Sequence, residues 1–153
     1  MGNMWNNNKK LTKKKFKSKM EELFGSGNFK TKTGEIPPSE AFKDVKIVGL
    51  YFSMHNCPPC RAFTPIFSDL YNETNQDGKV MEVVFLSGDK TQEEYDEYFG
   101  EMPWPALPKG DARMRDLATK YSVKGVPRLV VLKASDGTVL HDNAVKKVTD
   151  EGP

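Results

Sequence analysis

The feature that most constrains this sequence is a pair of cysteines, Cys57 and Cys60, separated by two prolines. They follow the apolar run 47–52, which suits a strand buried on both faces, and they precede a segment with apolar residues at helical spacing. Proline is well accepted in the first turn of a helix, where its missing N–H would have no partner. The motif therefore predicts a strand–helix junction, with Cys57 at the helix N-terminus and Cys60 one turn further on.

This predicted position favours a particular chemistry. The N-terminus of a helix carries unpaired N–H groups and the positive end of the helix dipole, and both stabilise a thiolate. Cys57 is thus our candidate nucleophile for disulfide exchange. Cys60 is the candidate resolving thiol, which attacks the mixed disulfide and releases the reduced substrate.

Three alternatives stay open at this point. A zinc site needs about four ligands, and beyond the two cysteines the chain offers His55 and His141. We therefore predict no metal site, unless two chains share an ion, and no cofactor. The second alternative is a pair of buried structural cysteines. The third is a site that has kept its fold and lost its activity.

The order of hydrophobic patterns predicts an α/β domain. Strands and helices alternate along the first part of the chain, and a hairpin closes the second, which indicates three layers around a mixed sheet. The predicted elements are a helix from about residue 12 to Phe24, a turn at 33–34, a short helix or loop opening at 37–38, strands at 47–52, 80–86 and 129–132, helices after Cys60 and at 91–99 and 111–121, a loop at 102–108, and a hairpin through 136–137 into 138–141.

Charge is distributed unevenly along the 153 residues. The first twenty residues hold seven lysines and no acid, which leaves sixteen bases against 21 acids in the remainder, a formal charge of −5. We predict that residues 1–19 are a flexible basic arm, with weak contact to an anionic membrane or nucleic acid through Lys9–Lys19 as an alternative. The acidic remainder excludes a basic nucleic-acid module, and no apolar run is long enough to span a bilayer.

The cysteine content favours a reducing compartment. The chain has two cysteines in all, so it lacks the disulfide framework that a small secreted domain often carries. We predict a cytoplasmic protein, with nuclear or mitochondrial location as alternatives. Met1-Gly2 before the lysines also permits an N-terminal lipid anchor, although Asn6 stands where that modification prefers serine or threonine.

Several segments together identify a family resemblance. The stretch Leu50–Pro65, with the two cysteines at its centre, resembles the active-site stretch of nucleoredoxins and tryparedoxins, members of the thioredoxin superfamily. The strand 82–86 followed by Asp89, the loop Met102-Pro103-Trp104, and the segment 123–129 resemble further segments of that family in the same order. The likeness spans residues 23–150.

The resemblance implies a thioredoxin-like three-layer α/β/α sandwich and the activity of a protein-disulfide reductase. Its partners would be protein disulfide substrates and an upstream dithiol reductant. The resemblance also implies that Pro127 is cis and places the Val126 backbone opposite Cys57, where it pairs with an extended substrate. Pro58 and Trp104 join these residues as predicted substrate-binding positions.

The sequence departs from the family pattern in three places, which bear on the implied activity. Asn56 replaces the tryptophan expected before the first cysteine, and it is itself a predicted substrate-binding position. Tyr51 occupies the place of the buried aspartate of thioredoxins, so that proton transfer to Cys60 would fall to Asp89 or a water.

The third departure concerns the C-terminus. Family members continue past Asp150 into a segment that covers the sheet, so we expect residues 20–153 to form a thioredoxin-like domain without that segment and with an open sheet face. An open face favours the alternative function, a non-enzymatic thioredoxin-fold subunit of a larger assembly.

Overall fold

The computed structural model describes residues 18–151, so most of the predicted basic arm lies outside the described residues. Helix α1 covers Lys19–Phe24, and the hydroxyl of Ser18 caps it by accepting from the Glu21 N–H at 3.1 Å. The helix ends at Phe24, as predicted, and buries Met20 and Phe24. The predicted start of this helix near residue 12 also lies outside the described part of the chain.

A small hairpin follows α1. Strand β1 (Phe29–Lys30) pairs antiparallel with β2 (Glu35–Ile36), which confirms the predicted turn at 33–34. Helix α2 (Pro38–Ala41) begins at a proline, as predicted. Ala106, within the predicted loop, bridges Lys30 on one side and Phe85 on the other, so the hairpin is fastened to the edge of the main sheet.

The central sheet has four strands: β3 (Ile47–Ser53), β4 (Met81–Ser87), β5 (Arg128–Lys133) and β6 (Val139–His141). Their order is β4-β3-β5-β6. The β3–β4 pair is parallel, and the β3–β5 and β5–β6 pairs are antiparallel. The mixed sheet predicted from the sequence is therefore confirmed, with β3 at its centre leading directly to the cysteines.

Four further helices complete the fold: α3 (Pro58–Thr74), α4 (Gln92–Phe99), α5 (Ala112–Lys120) and α6 (Val145–Glu151). Thr91 and Asp111 cap α4 and α5 with their side chains, because each accepts an N–H of the first turn. Helix α6 was not predicted from the sequence. It is short, and Val148 is its one buried residue.

Alternation along β3 creates two cores, one on each face of the sheet. Leu50 and Phe52 pack with Leu117 of α5 on one face. Tyr51 packs with Phe67 of α3 on the other face. Helices thus lie on both sides of the sheet, which confirms the three-layer α/β/α sandwich.

The expected open sheet face is not found within residues 18–151. Ala144 and Val148 of the α6 region join the core that includes α3, and the apolar side chains of both faces are buried. The large apolar side chains that remain exposed in this part of the chain are Val139 and Leu140, on the edge strand β6. No helix in the described range has the length and apolarity required to cross a membrane.

Candidate active site

The two cysteines form a disulfide at the start of α3, with their Cα atoms 5.2 Å apart. Cys57 is the N-cap residue of the helix and is half-buried, whereas Cys60 lies in the first turn and is fully buried. One sulfur therefore faces the surface while the other lies beneath it. The roles of Cys57 as attacking thiol and Cys60 as resolving thiol stay predictions, which this arrangement permits.

The first turn of α3 offers a single free amide to Cys57. Pro58 and Pro59 have no N–H, and the Arg61 N–H donates to the Cys57 carbonyl at 3.0 Å. The Cys60 N–H is consequently the first amide that can point toward a negative charge at the N-cap. After reduction, this amide and the helix dipole favour the thiolate form of Cys57.

The loop before β5 lies opposite the exposed sulfur. The Val126–Pro127 peptide bond is cis, as the resemblance implied. The Val126 carbonyl oxygen is 3.9 Å from Cys57 Sγ. Among residues 18–151, neither the N–H nor the carbonyl of Val126 has a backbone hydrogen-bond partner. The loop therefore presents a free backbone edge beside the reactive sulfur.

Two acidic side chains, Asp89 and Glu94, accept hydrogen bonds from the loop that precedes the cysteines. The Asp89 carboxylate accepts the His55 N–H at 2.6 Å, and the Asn56 amide donates to Glu94 at 2.9 Å. The His55 Nε2 lies 3.8 Å from a Glu97 carboxylate oxygen. Asp89 is 7% exposed, and its second oxygen accepts the Ser87 hydroxyl. Its hydrogen bonds thus support the loop, and its proton-transfer role stays a prediction.

A surface groove runs along α3 from the disulfide. Its volume is about 910 Å³, and its walls include His55, Asn56, Cys57, Pro58, Arg61 and Glu101. Asn56 and Pro58 are exposed here, so both predicted substrate-binding positions border the reactive sulfur. Pro65, which interrupts the hydrogen-bond ladder of α3, also lines the groove.

The predicted substrate-binding residue Trp104 is in the core. It is 2% exposed, and its ring packs against Phe67 and Tyr71 of α3 with centroid distances of 4.8 Å and 5.5 Å. A ring so enclosed leaves no surface for contact with a substrate. Its physical contribution is to support the helix that carries the cysteines.

The sequence analysis missed a cluster of buried hydroxyls beneath Cys60. The side chains of Tyr51, Ser53, Thr64 and Tyr98 are hydrogen-bonded to one another. Burial, and secondarily the neighbouring Tyr98, raises the pKa of Tyr51 far above its ordinary value. Periodicity places Tyr51 and Ser53 on one face of β3, but nothing in the sequence pairs them with Tyr98.

Metal-ligating side chains are scattered in the described structure. Within residues 18–151 no group of three or more His, Cys, Asp or Glu side chains is arranged to hold a metal ion. His55 lies beside the cysteines, whereas His141 is exposed on the edge strand β6.

Comparisons with known proteins agree with this geometry. Residues 44–139 match a family model described as thioredoxin-like. The chain is 39% identical to probable nucleoredoxin 1 of Arabidopsis thaliana over 86% of its own length and 23% of that protein. It is 34% identical to tryparedoxin of Trypanosoma brucei brucei, over 84% of this chain and 88% of that protein. A thioredoxin structure from Wuchereria bancrofti superposes with a TM-score of 0.77 at 38% identity, covering 85% of this chain and 90% of that one.

A mixed sheet between helical layers, with a disulfide pair at the start of the central helix, defines the thioredoxin-fold thiol–disulfide oxidoreductases. The chain belongs to the thioredoxin-like family. It spans about a quarter of the length of the nucleoredoxins that it matches.

Proposed function

We propose that this protein reduces protein disulfides, with Cys57 as nucleophile and Cys60 as resolving thiol. The observation that carries the proposal is the position of Cys57, which is half-buried at the N-terminus of α3 and disulfide-bonded to the buried Cys60. The free backbone edge of Val126 beside it gives a substrate segment a place to bind.

The exchange has two steps. The Cys57 thiolate attacks one sulfur of the substrate disulfide, and the other substrate sulfur leaves with the electron pair of the broken bond. Cys60 then loses its proton and attacks the Cys57 sulfur, which releases the second substrate thiol and closes the Cys57–Cys60 disulfide. An upstream dithiol reductant restores the pair to the reduced state.

Substrate binding is assigned to the residues that surround Cys57. An extended segment pairs with the Val126 backbone, in the manner of an added β-strand, and Pro127 holds that backbone in place. Asn56 and Pro58 contact the segment from the other side, since both are exposed at the mouth of the groove. Because a dithiol cycle needs reducing conditions, we assign the protein to a reducing compartment and favour the cytoplasm.

The test is reduction of insulin disulfides with dithiothreitol as electron donor. The wild type should accelerate insulin precipitation, and Cys57→Ser should reduce the rate to that of dithiothreitol alone. Cys60→Ser should instead accumulate a mixed disulfide, which intact-mass analysis detects. A folded wild type that gives no acceleration at any reductant concentration would contradict the proposal.

A second candidate is a non-enzymatic subunit of a larger assembly. The observation that favours it is Asn56, because an exposed amide bound to Glu94 gives a substrate less apolar contact than the tryptophan of the family pattern. Absence of turnover together with stable co-purification of a second protein would favour this candidate.

A further inference from the structure

Four buried hydroxyl groups from three elements meet beneath the disulfide. Tyr51 and Ser53 come from β3, Thr64 from α3 and Tyr98 from α4, and none is more than 3% exposed. We name these four residues the hydroxyl cluster. The Tyr98 hydroxyl oxygen is 2.6 Å from both Ser53 Oγ and Thr64 Oγ1, and the Tyr51 hydroxyl oxygen is 2.7 Å from Thr64 Oγ1.

The hydroxyl cluster is connected to the peptide group of the resolving cysteine. Thr64 donates its hydroxyl to the Cys60 carbonyl oxygen at 2.9 Å, and the Tyr51 hydroxyl lies 3.4 Å from the same oxygen. A hydroxyl has one proton and two lone pairs. Since the Thr64 proton points to Cys60, the two lone pairs of Thr64 Oγ1 are left to accept from Tyr51 and Tyr98, which both approach it. Strand β3 and helix α4 therefore hold the first turn of α3 through Thr64.

The hydroxyl cluster contains no charged group. Burial raises the pKa of Tyr51 far above its ordinary value, so its hydroxyl stays protonated throughout the physiological pH range. The place that a buried aspartate occupies in thioredoxins is thus taken by a neutral donor. A neutral group can hold Cys60 by geometry, but it cannot accept the proton of the thiol.

We infer that Tyr51, Thr64 and Tyr98 are positioning residues that keep Cys60 against Cys57 and thereby favour closure of the disulfide. Thr64 and Tyr51 approach the Cys60 carbonyl directly, and Tyr98 is bonded to Thr64, so that the first turn of α3 is restricted. A restricted thiol has a higher effective concentration toward its partner. The inference rests on the proposed function, in which Cys60 is the resolving thiol. In that step the Cys60 proton passes to a water or to Asp89, the predicted acceptors, and the departing substrate sulfur leaves with the electron pair of the broken bond.

The test is the dithiol–disulfide equilibrium of the Cys57–Cys60 pair in glutathione redox buffers, read by alkylation and intact-mass analysis. The double variant Tyr51→Phe/Tyr98→Phe removes two hydroxyls and keeps both rings. We expect its equilibrium constant for disulfide formation to fall by about five- to tenfold, because the effective concentration of Cys60 falls. The single variant Tyr98→Phe should give a smaller shift in the same direction and covers the case in which the double variant does not fold.

Tyr95→Phe is the matched control. Tyr95 lies on the same helix as Tyr98 and is equally buried, but its hydroxyl donates to the Leu107 carbonyl at 2.8 Å. Removing the Tyr95 hydroxyl breaks one buried hydrogen bond that involves no member of the hydroxyl cluster. We expect Tyr95→Phe to lower stability toward urea and to leave the redox equilibrium within about twofold of the wild type.

Two results would overturn the inference: an unchanged equilibrium in the folded Tyr98→Phe variant, or an equal shift in Tyr95→Phe. Neither measurement requires substrate turnover. If the wild type does not reduce insulin but the Tyr98→Phe variant shifts the redox equilibrium, only the proposed function is rejected. If the wild type reduces insulin normally but the redox equilibrium of the folded Tyr98→Phe variant is unchanged, only the inference is rejected.

Discussion

Asn56 is the exposed residue that immediately precedes Cys57, the proposed nucleophile, and the carboxylate of Glu94 accepts from its amide. The hydrogen bond to Glu94 is 2.9 Å long and joins the active-site loop to α4. A polar side chain fixed in this way offers a substrate hydrogen-bonding capacity but little apolar area. Under the proposed function, substrate affinity would then depend mainly on the backbone of Val126, which any extended segment can use.

We predict that Asn56→Trp raises kcat/KM for insulin reduction by about three- to tenfold, because an aromatic ring adds contact area beside Cys57. Initial rates at several insulin concentrations measure the change. The control is Glu94→Gln, which retains an oxygen acceptor for Asn56 while removing the charge, and its kcat/KM should stay near that of the wild type. A lower rate in Asn56→Trp would show that Asn56 itself contributes to binding.

At the scale of single elements, α5 illustrates how one carboxylate determines where a helix begins. Asp111 accepts the Arg113 N–H at 2.9 Å as the N-cap bond, and its two oxygens also pair with the Arg113 guanidinium. The hydrogen bonds from Arg113 hold the pKa of Asp111 below its ordinary value of 3.8, against the opposing effect of burial. The charged form of Asp111 therefore stabilises the folded state.

We predict that Asp111→Ala lowers the free energy of unfolding at pH 7 by about 1–2 kcal/mol, the range for loss of a capping side chain. Because the folded pKa is the lower one, this contribution is complete above the unfolded pKa and disappears as the pH falls through the folded pKa. The difference between wild type and variant should therefore shrink below about pH 4. Urea denaturation at pH 7 and at pH 3 measures both values.

The control for this prediction is Thr91→Ala. Thr91 caps α4 through its hydroxyl, which accepts the Glu94 N–H at 3.1 Å and carries no titrating group. Its loss should cost a similar free energy at both pH values. A pH-independent difference for Asp111→Ala would mean that its charge does not contribute to stability.

At the scale of the whole molecule, Arg113 connects the first described segment to the rest of the domain. Its guanidinium donates to the carbonyls of Phe24, Gly27 and Asn28 at 3.1, 2.6 and 3.1 Å. These carbonyls lie at and beyond the end of α1, where a helix leaves acceptors without internal partners. The Arg113 side chain thus provides hydrogen-bond donors for three backbone carbonyls of α1 and the loop that follows it.

We predict that Arg113→Ala increases hydrogen exchange in residues 20–30 by about tenfold, since local opening there no longer breaks these bonds. The amides of β3 should retain their wild-type protection. Hydrogen–deuterium exchange with peptide mass readout distinguishes the two regions. Arg115→Ala is the control, because Arg115 is exposed on the same helix and has no ion pair within the described residues. Faster exchange throughout the sheet would contradict a local role for Arg113.

Local sequence patterns are sufficient to predict the elements that have a clear period or turn. The strand at 47–52, the hairpin at 136–137 and the helix after Cys60 were predicted because each follows from a local period or turn. Helix α6 was missed because it is short and has a single buried apolar residue, Val148, which gives no period to detect. The predicted substrate-binding role of Trp104 was wrong, because its burial depends on Phe67 and Tyr71, which no local pattern connects to it.

The sequence by itself determined that Cys57 lies at the N-terminus of a helix and Cys60 in its first turn, since both positions follow from a helix that starts after a buried strand. The tertiary structure decided which residues, distant along the chain, lie around them. The family resemblance implied that Val126 lies opposite Cys57, 69 residues away, but no pattern within the chain predicts that contact or the one between Tyr98 and Ser53, 45 residues apart. Such contacts arise when layers of helix and strand pack, and the spacing of residues along the chain does not encode them. The hydroxyl cluster beneath Cys60 is therefore a property of the folded molecule.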